Sequence, residues 1–282
     1  MKKRLLNIII ILVVFAFLVY FLQNKIIFIP FRLDGPPRLP EIPGRTLEHV
    51  VFQSEDGKNL HGVWLGMASE TSEASGTILP TLLFSHGNAG NITHRFERIT
   101  ALATLPVNIF LYDYRGYGQS EGSPTVPGAV MDGDAALRYL IEKRGIPIEK
   151  VVFYGESVGS GITMAVAGKH LSEVKAIVLE SGFRSLSDRA GKRIPLIGSL
   201  ILTHDLPNVR TLSGFNGPLL VIHSHADEVI PFEDGEALFA ACPSSSKWFF
   251  KMDKVGHNDG VWLYPGYMDA WRTFLAAAFP GK

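Results

Sequence analysis

The run Val151, Val152, Phe153, Tyr154 reads as a buried strand and the run Ile162, Met164, Ala165, Val166, Ala167 as a helix, with Gly155-Glu156-Ser157-Val158-Gly159 at the junction. A direct strand-to-helix turn of this kind belongs to folds in which helices pack on a parallel sheet. It lifts the serine hydroxyl above the strand ends, and its crowded backbone leaves room only for small residues two places before and after the serine. Gly155 and Gly159 supply that room, which makes Ser157 the candidate nucleophile. The letters alone are weak, since Gly118-Gln119-Ser120-Glu121-Gly122 repeats them. Behind Ser120, however, stand Ser123, Pro124, Thr125, Val126 and Pro127, where no helix can start directly after the serine. Ser120 is therefore expected in a surface turn after a strand.

Lys plus Arg and Asp plus Glu each number 27 in 282 residues, so no charge excess suggests a nucleic-acid surface. The single cysteine, Cys242, has no intramolecular disulfide partner, and the fold must rest on its core. From Leu5 to Leu22 the side chains are almost all apolar, long enough to cross a bilayer as a helix, with Lys2, Lys3 and Arg4 before them. Bulky residues stand where a cleavage site would be, so an uncleaved signal anchor is preferred to a cleaved signal peptide. The basic end should stay in the cytosol and the remainder face the non-cytoplasmic side, the periplasm in a bacterium, although Lys25, Arg32 and Arg38 weaken that bias. Residues 1–24 are thus expected as a transmembrane helix, and the prolines at 30, 36, 37, 40 and 43 make 25–45 a semi-rigid linker that sets distance rather than chemistry.

In 46–282, β-rich runs at Glu48–Gln53, Asn59–Leu65, Pro80–Ser85, Asn108–Tyr112, Lys150–Tyr154, Val174–Leu179, Pro218–His223 and Lys247–Met252 alternate with helical patterns. The helical patterns fall at 93–105, 129–143, 157–170, 232–241 and 261–279. The fold class is α/β: a mostly parallel eight-stranded sheet with an antiparallel start and helices on both faces. The polar loop 72–76 is expected to be mobile. Residues 182–216 form an insertion whose stretch Ile194, Pro195, Leu196, Ile197, Leu200, Ile201, Leu202 is too apolar for a solvent loop. It fits either a helix on the sheet or a small cap lining an apolar pocket.

A serine hydroxyl needs a base to take its proton and a carboxylate to hold that base in the right tautomer. In this architecture the acid follows a late strand and the histidine the last one. His257 is the only histidine downstream of the late-strand acids, and Asp227 follows Leu219-Leu220-Val221-Ile222, with Glu228 and Asp259 as rivals. Charge developing on a carbonyl oxygen needs preorganised donors. The backbone N–H of Val158 is one, and the loop Ser85-His86-Gly87-Asn88-Ala89-Gly90-Asn91 offers the second from Asn88, or from its neighbour Ala89.

Four stretches, His86–Asn91, Tyr114–Gly122, the turn at Ser157 and Gly256-His257-Asn258-Asp259, together with Asp227, make the chain resemble α/β-hydrolases of the bud-emergence-protein type. That branch comprises single-pass membrane hydrolases, with relatives among the α/β-hydrolase domain-containing proteins. The resemblance covers nearly all of the soluble part. It implies an α/β-hydrolase fold, ester or thioester hydrolysis, and a structural role for Ser120 in a loop beside the site. Glu156 and Val158, where relatives often carry Arg or Glu and Leu or Met, bear on pocket shape.

The expected activity is therefore a membrane-held serine hydrolase acting through Ser157, His257 and Asp227 on a small-molecule or lipid-like acyl ester, with no cofactor required. A serine aminopeptidase-like hydrolase is the nearest alternative. A catalytically silent binding domain would be expected to have lost one of these residues. His223-Ser224-His225-Ala226-Asp227 has the letters of a metallohydrolase site, but Glu228 stands where a further histidine would be needed, and strand alternation accounts for the two histidines.

Overall fold

The structure, a computed structural model, describes residues 2–68, 78–195 and 198–280, so the loop 72–76 and residues Leu196 and Ile197 of the apolar stretch lie outside the described residues. It begins with α1 (Lys2–Ile27), a helix of 26 residues, followed by the short strand β1 (Ile29–Pro30). The hairpin β2 (Arg45–Gln53) and β3 (Asn59–Met67) opens the main sheet, followed by β4 (Thr81–Ser85) and the two-residue β5 (Ala89–Gly90). Then α2 (Phe96–Leu102), β6 (Asn108–Tyr112), α3 (Val126–Arg144), β7 (Val151–Glu156), α4 (Val158–Ala167) and β8 (Ala176–Glu180) alternate. Three helices fill the insertion, α5 (Leu186–Arg193), α6 (Gly198–Ile201) and α7 (Asn208–Leu212), before β9 (Leu219–Ser224), α8 (Phe232–Ala241), β10 (Lys247–Met252) and α9 (Tyr267–Ala278).

Among the described residues the main sheet has eight strands in the order β10-β9-β8-β7-β4-β6-β3-β2, with β3 alone running against its neighbours. The central parallel strands read as near-continuous apolar runs because both of their faces are covered. Alternate residues serve opposite faces: Val151, Phe153, Ile177 and Leu179 enter one core cluster, Val152, Tyr154, Ala176 and Val178 the other. Every side chain of β4, β8 and β9 is buried, whereas edge strand β2 buries only Val50 and Phe52.

The eight expected strands are present. Helix α3 starts three residues earlier than expected, at Val126, because Pro127 is tolerated in a first turn and the Thr125 hydroxyl accepts the Gly128 N–H. The segment expected at 93–105 opens instead as a 3₁₀ turn, Ile92–Arg95, capped by Asn91.

A second difference concerns the linker, whose first part is built into the domain rather than acting as a spacer. β1 pairs with β5, Phe31 donates its N–H to Gly90, and Leu33 and Gly118 continue the contact. Phe28 is 2 % exposed and meets the Tyr117 ring edge-on. This covers the loop that carries Ser120, so Ser120 is buried rather than in a surface turn. Its hydroxyl donates to the Asp113 carbonyl at 2.7 Å and accepts the His61 N–H at 2.9 Å.

Among the described residues no helix is long and apolar enough to cross a membrane. About half of the α1 side chains on which the spanning expectation rests lie outside the described residues. Those described along it, Ile10, Ile11, Val14, Phe15 and Phe17, are exposed.

Phe28 decides between a spacer and a structural segment. Phe28→Ala should lower stability by about 3–5 kcal/mol, the usual cost of emptying an aromatic core site, read as a fall in Tm. An unchanged Tm would mean that the segment after α1 merely tethers.

Candidate active site

Ser157 joins β7 to α4 with φ 51° and ψ −120°, a left-handed conformation that few non-glycine residues adopt. It is held by close approach on both sides. A Cβ on Gly155 would lie 2.5 Å from the Ser160 Cα, and one on Gly159 only 2.0 Å from the Ser85 carbonyl oxygen, which places the start of α4 hard against the end of β4. The Ser157 N–H donates to the Glu180 carbonyl, and the Ser160 hydroxyl and N–H both donate to the Ser157 carbonyl.

Three residues far apart in sequence meet here. The Ser157 hydroxyl lies 3.0 Å from His257 Nε2, and His257 Nδ1 lies 2.8 Å from Asp227 Oδ2. A carboxylate can only accept, so Nδ1 carries the ring proton and Nε2 is left with its lone pair facing the serine. Asp227 Oδ1 accepts the N–H groups of Val229 (2.9 Å) and Ile230 (2.7 Å), a local turn that fixes the carboxylate. Burial pushes the Asp227 pKa up, but the hydrogen bond and charge of His257 and the Ile230 N–H outweigh it and hold the carboxyl below its usual value. The rival acids brace the histidine loop: Glu228 accepts the His257 N–H at 3.1 Å and Asp259 the Gly256 N–H at 2.7 Å.

Asn88 and Val158 line the same cavity as Ser157. Val158 supplies the first N–H of α4, which has no acceptor within its own helix. The peptide carrying the Asn88 N–H is oriented by its carbonyl, Gly87 O, which accepts from His86 Nδ1 at 2.7 Å. Farther along, Tyr117 and the Ile29 N–H donate to the Asn88 carbonyl, and Arg95 Nη2 donates to the Ala89 carbonyl. The cavity measures about 590 Å³, and Phe183, Leu186, Val229 and Ile230 contribute apolar wall.

Glu156 does not shape this cavity; it turns beneath the loop. Its Oε2 accepts the Gly87 N–H at 3.1 Å and Arg95 Nε at 2.7 Å, and its Oε1 meets Arg98 Nη1 at 2.9 Å. Arg98 also pairs with Glu180 at 3.1 Å, whose other oxygen accepts the hydroxyls of Tyr154 (2.9 Å) and Tyr267 (2.7 Å). Burial raises the Glu156 pKa, but Arg98 and Arg95 outweigh it and hold the carboxyl far below its usual value. For Glu180 burial prevails over Arg98 and the value rises. Sequence reasoning missed Arg95, Arg98 and Glu180. The available signals were a charge at the end of the apolar run Ala176–Glu180 and an arginine on the buried face of α2.

His223 and His225 do not form a metal set with Asp227: His223 Nε2 lies 3.5 Å from Asp227 Oδ2, but His225 is turned away from both. His223 Nε2 bonds the Ile230 carbonyl at 3.0 Å, and the His225 ring stacks on Phe232 at 3.6 Å. Among the described residues no group of three or more His, Cys, Asp or Glu side chains is arranged to hold a metal ion. Cys242 is buried, with Sγ on the Phe215 carbonyl.

Two measurements test this arrangement. Gly159→Ala forces a methyl into the Ser85 carbonyl and should cost about 1–3 kcal/mol or more, visible in urea unfolding. Glu156→Gln leaves Arg95 and Arg98 short of a counter-charge and should cost about 3–5 kcal/mol at pH 7. Because the folded pKa of Glu156 is depressed, its contribution is present above the unfolded value of about 4.3 and is lost as pH falls through the folded one. The stability gap between wild type and Glu156→Gln should therefore narrow below about pH 4; a gap independent of pH would remove the charge role.

Comparison with known proteins places this geometry. Residues 80–213 match the family model described as alpha/beta hydrolase fold. The protein bem46 of Schizosaccharomyces pombe is 33 % identical over 236 residues, covering 81 % of this chain and 76 % of its own. The alpha/beta hydrolase domain-containing protein WAV2 of Arabidopsis thaliana is 29 % identical over 279 residues, covering 92 % and 88 %. An esterase of Pyrococcus furiosus superposes with a TM-score of 0.64 at 16 % identity, over 88 % of this chain and 99 % of its own, a likeness of fold. The sheet order, the turn at residue 157 and the similarity to bem46 agree: the chain belongs to the α/β-hydrolase family, in its bud-emergence-protein branch.

Proposed function

We propose that the protein is a membrane-anchored serine hydrolase that cleaves acyl esters or thioesters. The observation that carries the reading is the chain of hydrogen bonds from Ser157 through His257 to Asp227, ending at the wall of an apolar cavity. In the first half-reaction Ser157 Oγ bonds to the acyl carbon while His257 Nε2 takes its proton, and Asp227 stabilises the imidazolium. The Val158 and Asn88 N–H groups receive the charge on the carbonyl oxygen. The bond to the alcohol or thiol then breaks, the leaving group departs with the proton from Nε2, and an acyl-serine remains. Water, deprotonated by the same nitrogen, attacks the acyl carbon, the bond to Ser157 Oγ breaks, Nε2 returns the proton to that oxygen, and the acid departs.

Cavity chemistry favours an acyl ester over a peptide with a free amino terminus. An ammonium group would need a carboxylate, and among the described residues the cavity lining has none, while Arg189 and Arg193 do border it. Membrane attachment is supported by α1, which at 1.5 Å per residue is about 39 Å long. Its exposed apolar side chains would face water otherwise. With Lys2, Lys3 and Arg4 in its first turn, the topology is single-pass with the hydrolase domain on the non-cytoplasmic side. The protein should resist alkaline extraction from membranes; release into the wash would count against the anchor.

Ser157→Ala and His257→Ala should each lower turnover of a p-nitrophenyl ester by about 10⁵- to 10⁶-fold, and Ser157→Ala should abolish labelling by a fluorophosphonate probe. Ser120→Ala, by contrast, leaves the His61 N–H without its acceptor and should show as about 1–3 kcal/mol of lost stability, with labelling retained. Equal catalytic losses from the two serines would refute the assignment.

A further inference from the structure

The C-terminal end of α1 reaches the cavity in which Ser157 lies. Gln23, Ile26 and Ile27 line it together with Ser157 and Val158, facing Leu186, Ala190 and Leu202 of the insertion. This wall is fixed in place. Gln23 is 6 % exposed, its Oε1 accepts the Thr203 N–H at 3.0 Å, and its Nε2 donates to the Tyr20 carbonyl at 2.7 Å. One residue beyond α1, Phe28 is sunk in the core and β1 is paired to β5, so the helix end cannot swing away as a tether would.

Resting on the hydrolase reading above, we infer that the end of α1 is a wall of the acyl site and that the substrate is a bilayer amphiphile carrying a long apolar acyl chain. The cavity of about 590 Å³ lies within the roughly 300–1,000 Å³ of small-molecule sites. Its charged lining residues are arginines, and the Arg189 guanidinium is engaged with the Val229 carbonyl. Ile26 is 62 % exposed while also lining the cavity, so a single side chain borders both the active-site space and the surroundings of α1. Above it, Ile10, Ile11, Val14, Phe15 and Phe17 expose apolar surface. Counted from Leu6, 20 residues of helix span about 30 Å, the thickness of a bilayer's hydrocarbon core, so a bilayer covering them would end near the level of Ile26. An acyl chain can then pass from lipid into the cavity along continuous apolar surface, with its ester group drawn to Ser157. A short acyl group gains nothing from such a wall.

The test uses the full chain in phosphatidylcholine nanodiscs with p-nitrophenyl esters from acetyl to hexadecanoyl. Each methylene accommodated should raise kcat/KM by about fourfold, as expected from apolar burial, until the cavity fills. Ala190→Trp, which shortens the cavity, should move the optimum to shorter chains. Ile26→Gln should lower kcat/KM for the dodecanoyl ester at least tenfold more than for the acetyl ester. A wild-type optimum at two to four carbons, or equal losses at all chain lengths in both variants, would overturn the inference. Fluorophosphonate labelling of wild-type Ser157 separates the two readings. Intact labelling with a short-chain optimum removes only the long-chain substrate; absent labelling removes the hydrolase with it.

Discussion

The approach of α4 to β4 is the contact from which the rest of the site follows. With no side chain at Gly159, the helix start closes to the Ser85 carbonyl, and this closure helps to hold Ser157 at φ 51°. Such a backbone costs on the order of 1–3 kcal/mol and persists only where its surroundings over-determine it. Here the surroundings are the Glu180 and Ser160 hydrogen bonds and two fully buried strands on either side of β7. The same contact sets where the loop 86–91 faces the start of α4, because that loop leaves β4 at the point where α4 presses against it. One missing methyl thus fixes the hydroxyl, the first helical N–H and the start of the facing loop together.

Beneath that contact the site is stiffened by charge rather than by packing. Glu156 and Glu180 end adjacent strands in register, a like-charged pair that would repel if left alone. Arg98, inserted between them, and Arg95 make the group neutral overall, with Tyr154 and Tyr267 both donating to the remaining oxygen of Glu180. A buried group of this kind is a poor source of net stability, because desolvation consumes much of the Coulomb gain. What it provides is position: removing one member leaves a stranded charge, so the loop that holds Gly87 and the turn that holds Ser157 are bound to one arrangement.

How much of this could be read from sequence depends on how local the signal is. The turn at Ser157 was legible because its requirements, small residues at fixed offsets between a strand and a helix, lie within nine positions. Asp227 and His257 followed from chain order and elimination, although 100 residues separate His257 from its serine. The Arg98–Glu180 pairing had no such handle, since no periodicity reports which buried charges meet across a sheet. The burial of Ser120 was missed for the same reason. Prolines at 30, 36 and 37 correctly excluded helix after α1, yet Pro30 sits in β1, where its missing N–H is not needed for the pairing with β5. Composition told that the segment is extended; only the fold told what it extends along.

That docking changes what the segment after α1 does. A flexible linker of the 21 residues at 25–45 would leave the domain sampling many positions and orientations relative to α1. Phe28 and β1 remove that freedom once, during folding. The cost appears as a core residue and a strand recruited from outside the eight-stranded sheet. The return is that the orientation of α1 relative to Ser157 becomes a property of the native state. Pro30 suits such docking because its backbone is already restricted in the unfolded chain. Ordering it against the loop 86–91 therefore loses less entropy than ordering a freely flexible residue there would.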